Sequence, residues 1–123
     1  MVTEELAQRR AEAWVEAWNV HDLEAIMACY AAQPTLTSPR VVERLGLPDG
    51  TVRGREQLRN YFAHGLRVAP ALHFALRDVL VGVDGVAIAY TRETGVRVVD
   101  AHQLDADGMI TEAHVYVSTT SRE

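Results

Sequence analysis

Residues 84–118 read DGVAIAYTRETGVRVVDAHQLDADGMITEAHVYVS. Three dipeptides, Asp84-Gly85, Thr94-Gly95 and Asp107-Gly108, interrupt apolar runs rich in Val, Ile and Tyr, which is the pattern of successive hairpins. The stretch predicts strands over about 86–93, 96–105 and 109–118, joined to an earlier one over about 72–81. A two-residue turn at Thr94-Gly95 pairs Glu93 with Val96, and so Ala89 with Asp100 and Ala87 with His102. Residues two apart share a strand face, so Asp100 and His102 project together. In this register they point inward, with Ala87, Ala89, Thr91, Val96, Val98 and Leu104. A slip of one residue would turn the pair outward.

Upstream the period changes. Ala7, Ala11, Trp14, Val15 and Trp18 recur at helical spacing after Thr3, a natural N-cap followed by Glu4 and Glu5. This predicts a helix over about 3–19 with both indoles on one side. Asp22 recaps a second helix, about 22–31, whose apolar face is Leu23, Ile26, Met27 and Tyr30. Pro34 to Pro39 reads as a short strand, about 34–39. A loop over 40–53, punctuated by Gly46, Pro48, Asp49-Gly50 and Gly54, is either a lid or a surface excursion. A third helix, about 55–67, presents Leu58, Tyr61, Phe62, Gly65 and Leu66.

This order predicts one α+β domain over 1–123. A strongly curved, mostly antiparallel sheet would wrap three helices into a cone with one deep pocket. Trp14, Trp18, Tyr30, Phe62 and Phe74 then either fill a plain core or wall that pocket; the cone geometry favours the wall.

Bulk properties exclude several classes. The formal charge of −5 argues against nucleic-acid binding, which needs a basic patch. No apolar run reaches transmembrane length, and the acidic start is wrong for a signal peptide, so no membrane partner and a cytoplasmic location are expected. Cys29, the lone cysteine, is read as an inert buried thiol. No His or Cys pair has metal-site spacing, so neither a metal nor another cofactor is expected.

Trp18-Asn19, His21-Asp22-Leu23-Glu24-Ala25-Ile26, Tyr30-Ala31, Thr35, Pro39, Gly54 and Leu58-Arg59-Asn60-Tyr61-Phe62 together resemble the nuclear transport factor 2-like superfamily, nearest its SnoaL-like, polyketide cyclase-like branch. Ketosteroid isomerases are distant cousins. The resemblance spans about residues 5–118 and implies a cone fold, usually dimeric, with an apolar pocket. It implies no single chemistry, because the superfamily holds enzymes, binding proteins and assembly domains. The isomerase base falls on Ser38, before Pro39; its oxyanion tyrosine falls on Trp14; its oxyanion-hole acid falls on Asp100. The cyclase acid–base position falls on Val115, between Ala113 and Val117. His102 matches a histidine that some relatives place beside the ligand. The epoxide-hydrolase cousins need an Asp–Arg–Asp set. Here Asp100 has only Arg92 or Arg97, and the register above puts both arginines on the opposite face.

The catalytic candidates are therefore Asp100 and His102, and the pocket candidates are Trp14, Trp18, Tyr30, Ser38, Phe62, Phe74 and Val115. An apolar wall disfavours a charged carboxylate, so Asp100 would serve as a neutral donor or general acid. The alternative is a structural network of Asp100 with His102 and a tyrosine. His102 is read as a general base or as a satisfied core residue. Glu112, His114 and Tyr116 share the other face of the last strand, expected to form a homodimer contact. Arg40 lies where it would reach an anionic ligand at the mouth. Two functions stay open: cofactor-free acid–base catalysis (isomerase, cyclase or hydrolase type) on a small apolar substrate, or non-catalytic ligand binding or assembly.

Overall fold

The computed structural model describes residues 1–120. Its elements are α1 (Glu4–Asn19), α2 (Leu23–Met27), β1 (Tyr30–Thr37), α3 (Pro39–Leu45), β2 (Thr51–Arg53), α4 (Arg55–Val68), β3 (Phe74–Val81), β4 (Gly85–Arg92), β5 (Arg97–Leu104) and β6 (Ile110–Val117). The class is α+β, but the cone wrapped around three helices is overturned. The sheet is an open six-stranded one, ordered β2-β1-β6-β5-β4-β3, and four helices accompany it. It is also mixed: β1 runs parallel to β6, while the other neighbours are antiparallel.

Local capping chemistry explains the helix starts. Thr3 accepts from the Leu6 amide and Asp22 from the Ala25 amide. The second helix stops early, at Met27 instead of about 31, because the chain is captured by the sheet. The Ile110 amide donates to the Cys29 carbonyl, and Tyr30 pairs with Ile110. Tyr30 is thus a strand residue, and the first strand is Tyr30–Thr37 instead of 34–39. Pro34, which has no amide proton, sits within the irregular part of the β1–β6 ladder. The 40–53 stretch is not a long loop. Ser38 caps α3 by accepting from the Arg40 amide, Pro39 opens that helix, and Gly46 closes it at φ 66°. Strand β2 then pairs with β1.

The hairpin between β4 and β5 corrects the expected register. The Arg92 amide donates to Val96 and the Gly95 amide to Arg92, so the loop holds three residues with Gly95 left-handed at φ 90°. Asp100 therefore pairs with Ile88, His102 with Val86, and Val98 with Tyr90. The face expected to carry Ala87, Ala89 and Thr91 carries Val86, Ile88, Tyr90 and Arg92 instead. Asp100 and His102 still point inward, at 3% and 4% exposure.

Helices α1 and α4 cover that inner face. Ile26 of α2, Val41 of α3, Leu58 of α4, and Val52 and Ile88 of the sheet are completely buried in the core. Gly85 lets β4 approach β5 closely: a Cβ there would lie 2.3 Å from the His102 carbonyl oxygen. Gly85→Ala is expected to cost roughly 1–3 kcal/mol by forcing those two backbones apart. A denaturant midpoint matching wild type would show that the strands part freely. Among the described residues, no helix is long and apolar enough to cross a membrane.

Candidate functional site

A cavity of about 110 Å³ opens between the inner sheet face and helices α1, α3 and α4. Trp14, Trp18, Tyr30, Ser38, Phe62, Phe74, Asp100 and Val115 all line it. His102 does not. Its ring stands behind the wall, 4.9 Å from the Trp14 ring and 6.5 Å from that of Tyr30. The helical period brings the two indoles together, with ring centroids 6.2 Å apart. Phe62 from α4 stands edge-on to Trp18 at 4.9 Å, and Phe74 stacks on Tyr90 at 4.2 Å. The walls are therefore aromatic on several sides, a surface suited to flat apolar ligands.

Asp100 is the lining carboxylate, and both its oxygens are engaged. Tyr90 donates its hydroxyl to Oδ2 at 2.7 Å, and His102 Nε2 lies 3.2 Å from Oδ1. With Asp100 ionised, that second bond requires the proton on Nε2. His102 thus braces Asp100 from behind and does not itself face the cavity. A second chain of bonds runs beside the first: Trp14 donates its indole N–H to the Tyr30 hydroxyl at 3.1 Å. The Tyr30 proton has no acceptor among the described residues.

Burial holds the phenols of Tyr30 and Tyr90 well above the usual value, and the Asp100 charge adds to both. For Tyr90 the hydrogen bond to Asp100 acts in the same direction. Both therefore remain donors across the physiological range. A raised folded-state value gives stability that is complete below the ordinary phenol value of about 10 and is lost as pH rises beyond it. Each phenol should remove about 1.4 kcal/mol of stability per pH unit there. Urea midpoints from pH 8 to 11 test this. A flat profile, or one unchanged in Tyr90→Phe, contradicts it.

Ser38 is occupied locally, since its hydroxyl caps α3. Val115 supplies only apolar surface. Arg40 lines the cavity, and so do two arginines not expected there, Arg44 and Arg92. A two-residue turn would put Arg92 on the opposite face; the three-residue loop brings it inside. The same loop turns Tyr90 inward, where it is the tyrosine partner of Asp100 that the structural-network alternative calls for. Arg44 escapes the sequence pattern because glycines and a proline make 40–53 look like loop, which hides that Arg40 and Arg44 stand one helical turn apart. On the other sheet face, His114 Nε2 lies 2.6 Å from Glu112, and Tyr116 is 61% exposed. Cys29 is half-buried, which pushes its thiol up and keeps it protonated. Among the described residues, no three His, Cys, Asp or Glu side chains cluster as a metal site would need.

Comparison with known proteins agrees with this fold. A SnoaL-like protein of unknown function from Burkholderia thailandensis E264 is 36% identical, superposes with a TM-score of 0.92, and is matched over 96% of this chain and 99% of its own. Two more distant structures share the fold. IdmH from Streptomyces antibioticus, proposed to be a polyketide cyclase, is 18% identical at TM-score 0.75, over 94% of each chain. TerC, co-crystallised with polyporic acid, is 20% identical at TM-score 0.75, over 93% of this chain and 92% of its own. No curated protein matches significantly. The sequence model of the SnoaL-like domain matches residues 11–113, from within α1 to within β6, so this chain belongs to the SnoaL-like family.

Proposed function

We propose that this SnoaL-like chain binds a small, largely apolar molecule in the aromatic cavity and moves a proton on it. The observation that carries the reading is Asp100, a carboxylate in an aromatic wall with one oxygen held by Tyr90 and the other by His102. A base so held is oriented before substrate arrives, which is where general-base efficiency comes from. Tyr30 completes the set. Its hydroxyl, receiving the Trp14 N–H, is a strengthened donor for a carbonyl oxygen on which negative charge develops. Base and donor on one cavity fit proton abstraction next to a carbonyl, the step common to isomerisation and many cyclisations.

The test uses 2-tetralone, a bicyclic ketone with exchangeable α-protons. Proton NMR in D₂O should show the protein accelerating deuterium exchange above buffer alone. Binding of the ketone without acceleration would leave only a ligand-binding domain. That second reading has one observation behind it: Ser38, at the position of the isomerase base, is committed to capping α3.

We also propose a homodimer through the outer sheet face, where Tyr116 and Leu80 are exposed and His114 pairs with Glu112. Tyr116→Arg should convert a dimer into a monomer in sedimentation equilibrium. A wild-type monomer at all concentrations would exclude this contact.

A further inference from the structure

Arg40 and Arg44 stand four residues apart on α3 and so leave the helix on one side. Both line the cavity, and Arg44 reaches across its mouth to α4, where an added Cβ on Gly65 would lie 3.5 Å from Nη1. Neither guanidinium has an ion-pair partner among the described residues. Arg92, the third arginine of the wall, is engaged: it donates twice to Glu93 and lies 5.7 Å from the centre of the Phe74 ring. The buried Trp18 indole N–H, in the same wall, also has no acceptor. Each Asp100 oxygen already accepts one bond, Oδ2 from Tyr90 and Oδ1 from His102.

The cavity therefore has unengaged cations and donors, while its carboxylate is held by Tyr90 and His102 and pairs with neither arginine. In a chain of net charge −5 this is a local inversion of sign. Like charges one turn apart on a short helix repel, and among the described residues no carboxylate lies within ion-pair distance of these two. A ligand carboxylate would do so, and guanidinium is the cation best shaped to bind it in pairs of hydrogen bonds.

Resting on the proposed binding of a small molecule, we infer that the ligand is an organic acid. Its apolar body lies against Trp14, Trp18 and Phe62, and its carboxylate sits at the mouth on Arg40 and Arg44. The acid group then fixes which end of the molecule enters first, presenting the far end to Asp100 and Tyr30.

The experiment is calorimetric titration of the purified protein with 2-naphthoate and with its neutral analogue 2-naphthamide, at low and high salt. The carboxylate should bind about 10-fold or more tightly at low salt, with the gap shrinking as salt screens it. In the double variant Arg40→Gln, Arg44→Gln, the two probes should bind alike. Retained binding of the amide shows that the variant is folded. Equal affinities in wild type would overturn the inference and leave the aromatic cavity standing as a site. A preference that survives the double variant would overturn the assignment to these arginines. Binding of neither probe would overturn the small-molecule reading itself, and this inference with it.

Discussion

Asp100→Asn is expected to slow α-proton exchange by about 10²–10⁴-fold, the usual contribution of a positioned general base. The substitution is close to isosteric, and the surrounding bonds survive it. The amide oxygen accepts from Tyr90 as the carboxylate does, and the amide NH₂ donates to His102 once that ring carries its proton on Nδ1. What disappears is the basic oxygen. Affinity for the ketone should therefore stay within a few-fold of wild type while the rate collapses, which separates chemistry from binding. His102→Gln is the informative companion. As a positioning residue, His102 should shift the pH profile of exchange and lower the rate less than Asp100→Asn does. Wild-type exchange in Asp100→Asn would remove Asp100 from the mechanism. A uniform loss of binding in both variants would assign the pair a structural role.

Trp14→Ala should cost about 3–5 kcal/mol of stability, the range for deleting a large buried aromatic. Trp14 is 3% exposed and touches the rings of Trp18, Phe74, Tyr90 and His102. Its removal opens a void among side chains anchored to α1 and three strands, which cannot all collapse into it. The lost indole N–H also leaves the Tyr30 hydroxyl without its donor. Against a total stability of about 5–15 kcal/mol for a domain of this kind, the loss is a large fraction. Trp14→Phe divides the two effects, keeping most of the packing and deleting the bond, at roughly 0.5–1.5 kcal/mol. Urea unfolding measures both. A loss below about 1 kcal/mol in Trp14→Ala would mean that the ring borders open space and holds little together.

The two predictions rest on features of different legibility. Trp14 and Trp18 on one helix face follow from spacing alone, because a helix repeats every 3.6 residues whatever surrounds it. The pairing of Asp100 and His102 on one face follows in the same way from the strand period of two. Strand identity in 72–118 was equally open to reading, since β-branched runs and glycine turns are local signals. The family resemblance was also carried by local motifs.

Other features were decided beyond the local chain. Thr94-Gly95 looks like a two-residue turn, yet the loop takes three residues, and that one residue turns Tyr90 and Arg92 inward and Ala89 outward. Loop length is set by which register best buries both strands, a property of the packed sheet. Tyr30 continues a helical pattern in sequence, but pairing with β6 pulls it into β1, where it can receive Trp14. A hydrogen-bond ladder to a strand eighty residues away outweighs one more turn of a short helix. Whether the sheet closes strongly around the helices or stays open is likewise invisible in periodicity, because it depends on how the edge strands β2 and β3 are placed. The sequence by itself determined α1, α4 and the strands β3 to β6, the shared faces of Trp14 with Trp18 and of Asp100 with His102, and the family. Only the tertiary structure decided which residues meet across elements, because long-range pairing selects among registers that are equally acceptable locally.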